Sequence, residues 1–175
     1  MEADGFGVSD WLKSIGGVLF FVAGVLTWWE LEYGQGLSTA FNGFDYRYTG
    51  IVPYVIFVGI AILTIIIQTE SLNLPRFLVN PLLTLVAAGV ATALVVYRFF
   101  ADGYDNEALE DQGNTVSRGI GLYLALAAAL IVLAGCVIAY RDFRAARVED
   151  EVDEPVDDTP KSVDRPPRRS SPPLP

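Results

Sequence analysis

Trp28 to Gly50 reads WWELEYGQGLSTAFNGFDYRYTG, and it carries a folded protein's aromatic load outside the long apolar runs. Trp29, Leu31 and Tyr33 alternate with Glu30 and Glu32, and beyond Gly43 the residues Phe44, Tyr46 and Tyr48 alternate with Asp45 and Arg47. Period two is the strand signature, because successive side chains leave a pleated strand on opposite faces. Two such runs around the stretch Gly34 to Gly43 predict a β-hairpin whose apolar face is covered and whose charged face meets solvent or a partner. Trp29, Tyr33, Phe44, Tyr46 and Tyr48 are its candidate surface. An interfacial aromatic belt explains Trp28 and Trp29 equally well, but explains the alternation less well.

The flanking sequence says what the hairpin covers. Four apolar blocks, Leu12 to Trp29, Ile51 to Ile67, Pro81 to Tyr97 and Ile120 to Tyr140, contain one charge between them, Lys13 at an end. Each is near the ~20 residues needed to cross ~30 Å of hydrocarbon. The competing reading is a buried helix in a soluble core. Ile51 to Ile67 holds twelve Ile, Leu, Val or Phe residues, which contribute about −4 to −7 kcal/mol to insertion at roughly −0.3 to −0.6 kcal/mol each. Pro53, Tyr54 and Thr64 do not reverse that. The first block, diluted by Gly16, Gly17 and Gly24, is expected to be a retained span, because Glu2, Asp4 and Asp10 precede its only cation and no small-x-small cleavage site follows.

The expected fold is therefore an all-α membrane protein: a four-transmembrane-helix up-down bundle with a small extracytoplasmic β-hairpin between helices 1 and 2. Spans over 11–29, 51–68, 80–100 and 119–141, with outer loops at 30–50 and 101–118, make a membrane domain of residues 1–147. Ser9 or Asp10 is placed to cap the first helix, and Asn80-Pro81 reads as an N-cap followed by proline at the first helical position. Loop 101–118, with Asp102, Asp105, Glu107, Glu110 and Asp111, reads as solvated, and Gly119 and Gly121 open the last helix. From Val148 to Pro175 the acids of Glu149 to Asp158, then prolines and arginines, predict a disordered tail, with Arg168-Arg169-Ser170-Ser171 as a candidate phosphorylation or docking segment.

Basic residues set the expected orientation. Lys13, Arg76, Arg141, Arg144 and Arg147 flank the spans on the side of the termini, against Arg47, Arg98 and Arg118 on the other. The excess places both termini in the cytoplasm of a multi-pass plasma-membrane protein. Arg141, Arg144 and Arg147, three residues apart, can also meet anionic head groups at roughly 1 kcal/mol each.

Small residues mark the expected helix contacts. Gly121, Ala125, Ala128, Val132, Gly135 and Ala139 form a heptad-spaced stripe, Thr84, Ala88, Ala91, Val95 and Arg98 form another, and Gly17 and Gly24 stand one heptad apart. Packing within the chain is the first reading of these stripes; contact with a second copy or a membrane-protein partner is the second, and a transport path the third. Arg98 stands on its stripe near the outer end, in the leaflet where Glu30 and Glu32 leave the first span. A cation facing inward there calls for a carboxylate, so an Arg98 pair with Glu30 or Glu32 is expected to fasten the hairpin to the bundle.

Composition excludes much chemistry. The chain has no histidine, one cysteine, Cys136, inside a span, and a net charge of −9. The commonest metal ligand and general base are thus missing, as are an intrachain disulfide and a thiolate zinc site. No nucleophile with its base and no phosphate loop is present, so no enzyme, cofactor or metal is expected, and no basic block beside aromatic platforms points to nucleic acid.

The Gly-Gly first span ending in Trp28-Trp29, the segment Asn42-Gly43-Phe44-Asp45, and the entry Gly119-Ile120-Gly121-Leu122-Tyr123-Leu124-Ala125 together resemble an uncharacterised group of small four-span membrane proteins of high-GC Gram-positive bacteria. The resemblance runs from residue 9 to about 147 and implies a cell-membrane location with no catalytic residue to carry over. Binding or scaffolding at the outer membrane face is the expected role. The alternative is an accessory subunit of a transporter or channel complex.

Overall fold

The computed structural model describes residues 6–33, 36–69, 75, 80–101 and 114–153, with side chains described to Val148. The acids of 102–113, the connector around Arg76 and the segment 154–175 lie outside the described residues. The elements in chain order are α1 (Val8–Val25), β1 (Thr27–Tyr33), β2 (Leu37–Asn42), a 3-10 turn (Gly43–Asp45), a π turn (Arg47–Ile51), α2 (Val52–Gln68), α3 (Pro81–Phe100), β3 (Thr115–Arg118) and α4 (Ile120–Asp153). Four helices are long and apolar enough to cross a membrane, and a small three-stranded sheet ordered β2-β1-β3 accompanies them.

Local chemistry sets most helix ends. Asn80 caps α3 by accepting a hydrogen bond from Leu82 N at 3.0 Å, with Pro81 following where its missing N–H is not needed. At α1 the N-cap is Gly7 and makes no side-chain bond; Asp10 instead pairs with Lys13 at 2.7 Å and accepts a bond from Gln68 Nε2 at 2.6 Å. That contact ties the start of α1 to the end of α2. The last helix runs on to Asp153, six residues into what the composition assigns to a tail. Glu149 and Glu151 are good helix formers, and the first proline that stops a helix, Pro155, lies further on.

Side chains at the interfaces explain the small stripes. A methyl group on Gly17 would strike Ala61 Cβ and the Phe57 carbonyl of α2; one on Gly16 would meet Val132 Cγ2 at 2.6 Å. On Gly121 it would meet Leu26 Cβ at 2.8 Å, and on Gly135 the Ser9 carbonyl at 2.9 Å. Gly24 faces the Tyr54 ring at 3.1 Å. Ala88, Ala91, Ala125 and Ala128 are fully buried, around a core that includes Phe20, Phe57, Leu122 and Val132. Backbone thus approaches backbone closely, which compensates by dispersion for the weak hydrophobic drive between helices in lipid.

Candidate functional site

The best-developed constellation sits where α1 ends and the sheet begins. The spacing predicts that α1 runs to Trp29, but it stops at Val25 and both tryptophans belong to β1. They are 0% and 2% exposed, so they are covered by protein and do not form an interfacial belt. Two consecutive buried residues break strand alternation, and the cause is a register shift between Thr27 and Trp29 in the pairing with β2. A bulge of this kind turns an extra side chain to the same face. Trp28 Nε1 donates to the Ala23 carbonyl at 2.7 Å, satisfying an acceptor that the end of α1 leaves open.

The hairpin is tighter than the alternation predicts. Its second strand is Leu37–Asn42, paired from Tyr33↔Leu37 to Thr27↔Asn42. The turn closes with Gly36 N–H donating to the Tyr33 carbonyl at 2.9 Å. Gly36 has φ +77° with open space around it, so backbone conformation is what requires glycine there. Phe44, Tyr46 and Tyr48 are consequently not strand residues. Asn42 and Asp45 exchange bonds across a capping box, Asn42 N to Asp45 Oδ2 at 2.7 Å and Phe44 N to Asn42 Oδ1 at 2.8 Å, and this coils Gly43–Asp45 into the 3-10 turn. Period two failed here because the local side-chain bonds of Asn and Asp compete with a strand ladder.

Tyr46 is turned inward by that coil. Its ring stacks on Trp28 with centroids 6.3 Å apart, and Trp28 meets Phe20 edge-on at 6.5 Å. Arg98, 8% exposed, lies over Tyr46 with its guanidinium carbon 3.6 Å from the ring centre and 5.5 Å from the centre of Trp29. Arg118 lies 5.6 Å from the Trp29 ring centre and 5.3 Å from that of Phe99, which packs edge-on against Tyr123. Phe20, Trp28, Tyr46, Arg98, Trp29, Arg118, Phe99 and Tyr123 thus form one continuous aromatic and guanidinium series joining α1, the sheet, α3 and α4.

This corrects the expected ion pair. Arg98 does not meet Glu30 or Glu32; among the described residues no carboxylate lies against it, and its Nε and Nη2 have no hydrogen-bond partner. The reason is geometric: Leu31 is buried facing the bundle, so its neighbours Glu30 and Glu32 in the same strand point to the other face. Glu32, exposed, accepts a bond from Thr115 Oγ1 at 3.3 Å. The π faces take the role assigned to a carboxylate, each desolvated contact contributing about 2 kcal/mol.

The third strand had no expected counterpart. The composition of 101–118 predicts a solvated loop, yet β3 pairs antiparallel with β1, with Trp29 opposite Arg118 and Glu32 opposite Thr115. Gly119 N–H donates to the Trp28 carbonyl at 2.8 Å, and a side chain on Gly119 would strike the Thr27 backbone. The Gly-x-Gly entry therefore lets the β3–α4 corner nest against the α1–β1 corner. Four residues, Thr-Val-Ser-Arg, are too short a run for a pattern to reveal.

One side of the sheet is open. Tyr33 at the end of β1 is 40% exposed and Tyr48, in the π turn, 73%, while Leu37, Ser38, Thr39 and Ala40 are exposed along β2. Among the described residues no group of three His, Cys, Asp or Glu side chains is gathered as a metal site would require. No protein family matches the chain, and no curated protein or solved structure matches it either.

Proposed function

We propose that this chain is a multi-pass plasma-membrane protein with helices running up-down-up-down and both termini cytoplasmic, acting without enzymatic chemistry as a binding or scaffolding component at the outer face. The observation that carries the reading is that β2 is, among the described residues, an edge strand of the sheet. Its six residues, Leu37 to Asn42, are uncharged and the first four are exposed. Edge strands are ordinarily blunted by charge, proline or cover. An edge left plain on a sheet locked to the bundle by the aromatic and guanidinium series suits strand addition by an extended segment of a membrane-protein partner or of a second copy. The flanking cations support the orientation, and four helices long and apolar enough to cross a membrane support the location.

A photoreactive residue at Ser38 tests this in intact cells. A discrete adduct is expected, and the added change Ala40→Lys should remove it while leaving the thermal midpoint of the purified protein unchanged. No adduct, or an adduct indifferent to Ala40→Lys, would refute docking at this edge. A larger channel or transporter subunit recovered in the adduct at one-to-one stoichiometry would make the chain an accessory subunit.

A further inference from the structure

At the opposite end of the helices, the beginning of α3 and the continuation of α4 enclose a cleft of about 360 Å³, within the roughly 300–1,000 Å³ of small-molecule sites. Asn80 and Leu82 line one wall; Tyr140, Phe143, Arg144 and Arg147 line the other. The cleft lies where the apolar stretch of Pro81–Phe100 begins and that of Ile120–Val148 ends. On the reading that these helices cross a bilayer, that is the height of the lipid head groups.

The lining is chemically one-sided. Among the described residues it presents two guanidiniums and no carboxylate, and the Arg147 guanidinium sits 5.1 Å from the centre of the Phe143 ring. Arg141 and Asp142 belong to a separate, shallower depression with Ile138 and Ala145. The nearest described acid on α4 is thus turned away. Asn80 Oδ1 is already occupied by Leu82 N, which leaves its amide N–H groups as donors; Tyr140 adds a hydroxyl. Leu82, in the first turn of α3, and Phe143, beside Arg144 on α4, are partly exposed at the cleft. Cations and donors set among apolar surface match a phosphodiester attached to acyl chains. Paired guanidiniums are the groups best suited to a phosphate.

We propose that this cleft binds the head group of one anionic glycerophospholipid, with Arg144 and Arg147 holding the phosphate and Leu82 and Phe143 lying along the glycerol and upper acyl chain. The proposal rests on the membrane-spanning reading given above. It differs from general attraction of basic residues to an anionic surface, since Arg141, on the same helix end, is excluded from the site.

The test is native mass spectrometry of the full chain reconstituted in phosphatidylcholine nanodiscs and titrated with phosphatidylglycerol. One tightly retained phosphatidylglycerol per chain is expected. Arg144→Gln and Arg147→Gln should each weaken retention about tenfold, whereas Arg141→Gln, with the same loss of charge, should leave it unchanged. Equal weakening by all three substitutions would overturn the site in favour of diffuse attraction, and so would equal retention of phosphatidylcholine. Displacement of the lipid by millimolar inorganic phosphate would assign the cleft to free phosphate and overturn the lipid. Failure of the chain to enter nanodiscs would overturn the membrane reading and this proposal together, whereas entry without lipid preference would overturn this proposal alone.

Discussion

The Arg98 guanidinium carbon stands 3.6 Å from the centre of the Tyr46 ring, and this contact joins α3 to the segment between the sheet and α2. At 8% exposure the Arg98 guanidinium meets π faces where a carboxylate would otherwise be needed. Apolar replacement of a buried charge is often neutral, so the single substitution Arg98→Met is not diagnostic. The coupling is. A double-mutant cycle of Arg98→Met with Tyr46→Leu should give an interaction of about 1–2 kcal/mol, read from unfolding in mild detergent. Cycles with Glu30→Gln or Glu32→Gln should give none. Coupling to either glutamate and none to Tyr46 would reverse the assignment.

Trp28 is the second anchor of the same end. It is fully buried, and its indole N–H donates to the Ala23 carbonyl at 2.7 Å. Trp28→Phe removes that donor and leaves a void beside Gly43, whose Cα lies under the indole. The loss should be about 2–4 kcal/mol, the sum of an orphaned acceptor and a cavity. The exposed Trp11, changed to Phe, should cost little by the same unfolding measurement. Similar losses in the two would mean that Trp28 contributes only apolar surface.

Residue pattern made the helices legible and left the sheet half hidden. Long apolar runs such as Ile51 to Ile67 need no long-range information, because the bilayer constraint acts on each segment by itself. The hairpin is different. Alternation in Trp29 to Tyr33 was readable, but the same alternation in Phe44 to Tyr48 is overridden by the bonds between Asn42 and Asp45. The pairing of Trp29 with Arg118 joins residues far apart in the chain, and nothing local in either announces it. Arg98 was legible as an inward-facing cation. Its partner was not, since a bulge at Trp28 decides which side chains share its face.

Glycines at contacts and glycines facing open space should respond to one substitution with opposite signs. A Cβ on Gly17 meets Ala61 Cβ and the Phe57 carbonyl, whereas nothing lies within 4 Å of a Cβ on Gly89. Gly17→Ala should therefore destabilise by about 1–3 kcal/mol through overpacking. Gly89→Ala, inside α3, should stabilise by up to about 1 kcal/mol through helix propensity. Both are measured as shifts in thermal midpoint in the same detergent. A shared sign would mean that α1 and α2 do not approach as closely as their backbones indicate.

Orientation is testable at described positions on either end. Ser38 is exposed on β2, and Arg144 is exposed on α4 beyond the uncharged block Ile120 to Tyr140. The orientation proposed from the excess of basic residues beside Arg144 puts that end in the cytoplasm. In a Cys136→Ala background, which removes the chain's one thiol, Ser38→Cys should react with a membrane-impermeant maleimide in intact cells. Arg144→Cys should react only after the membrane is permeabilised. Labelling in the reverse order would put the sheet inside the cell and move the proposed docking edge to the cytoplasmic face. Labelling of both sites in intact cells would show that the two ends are not separated by a bilayer.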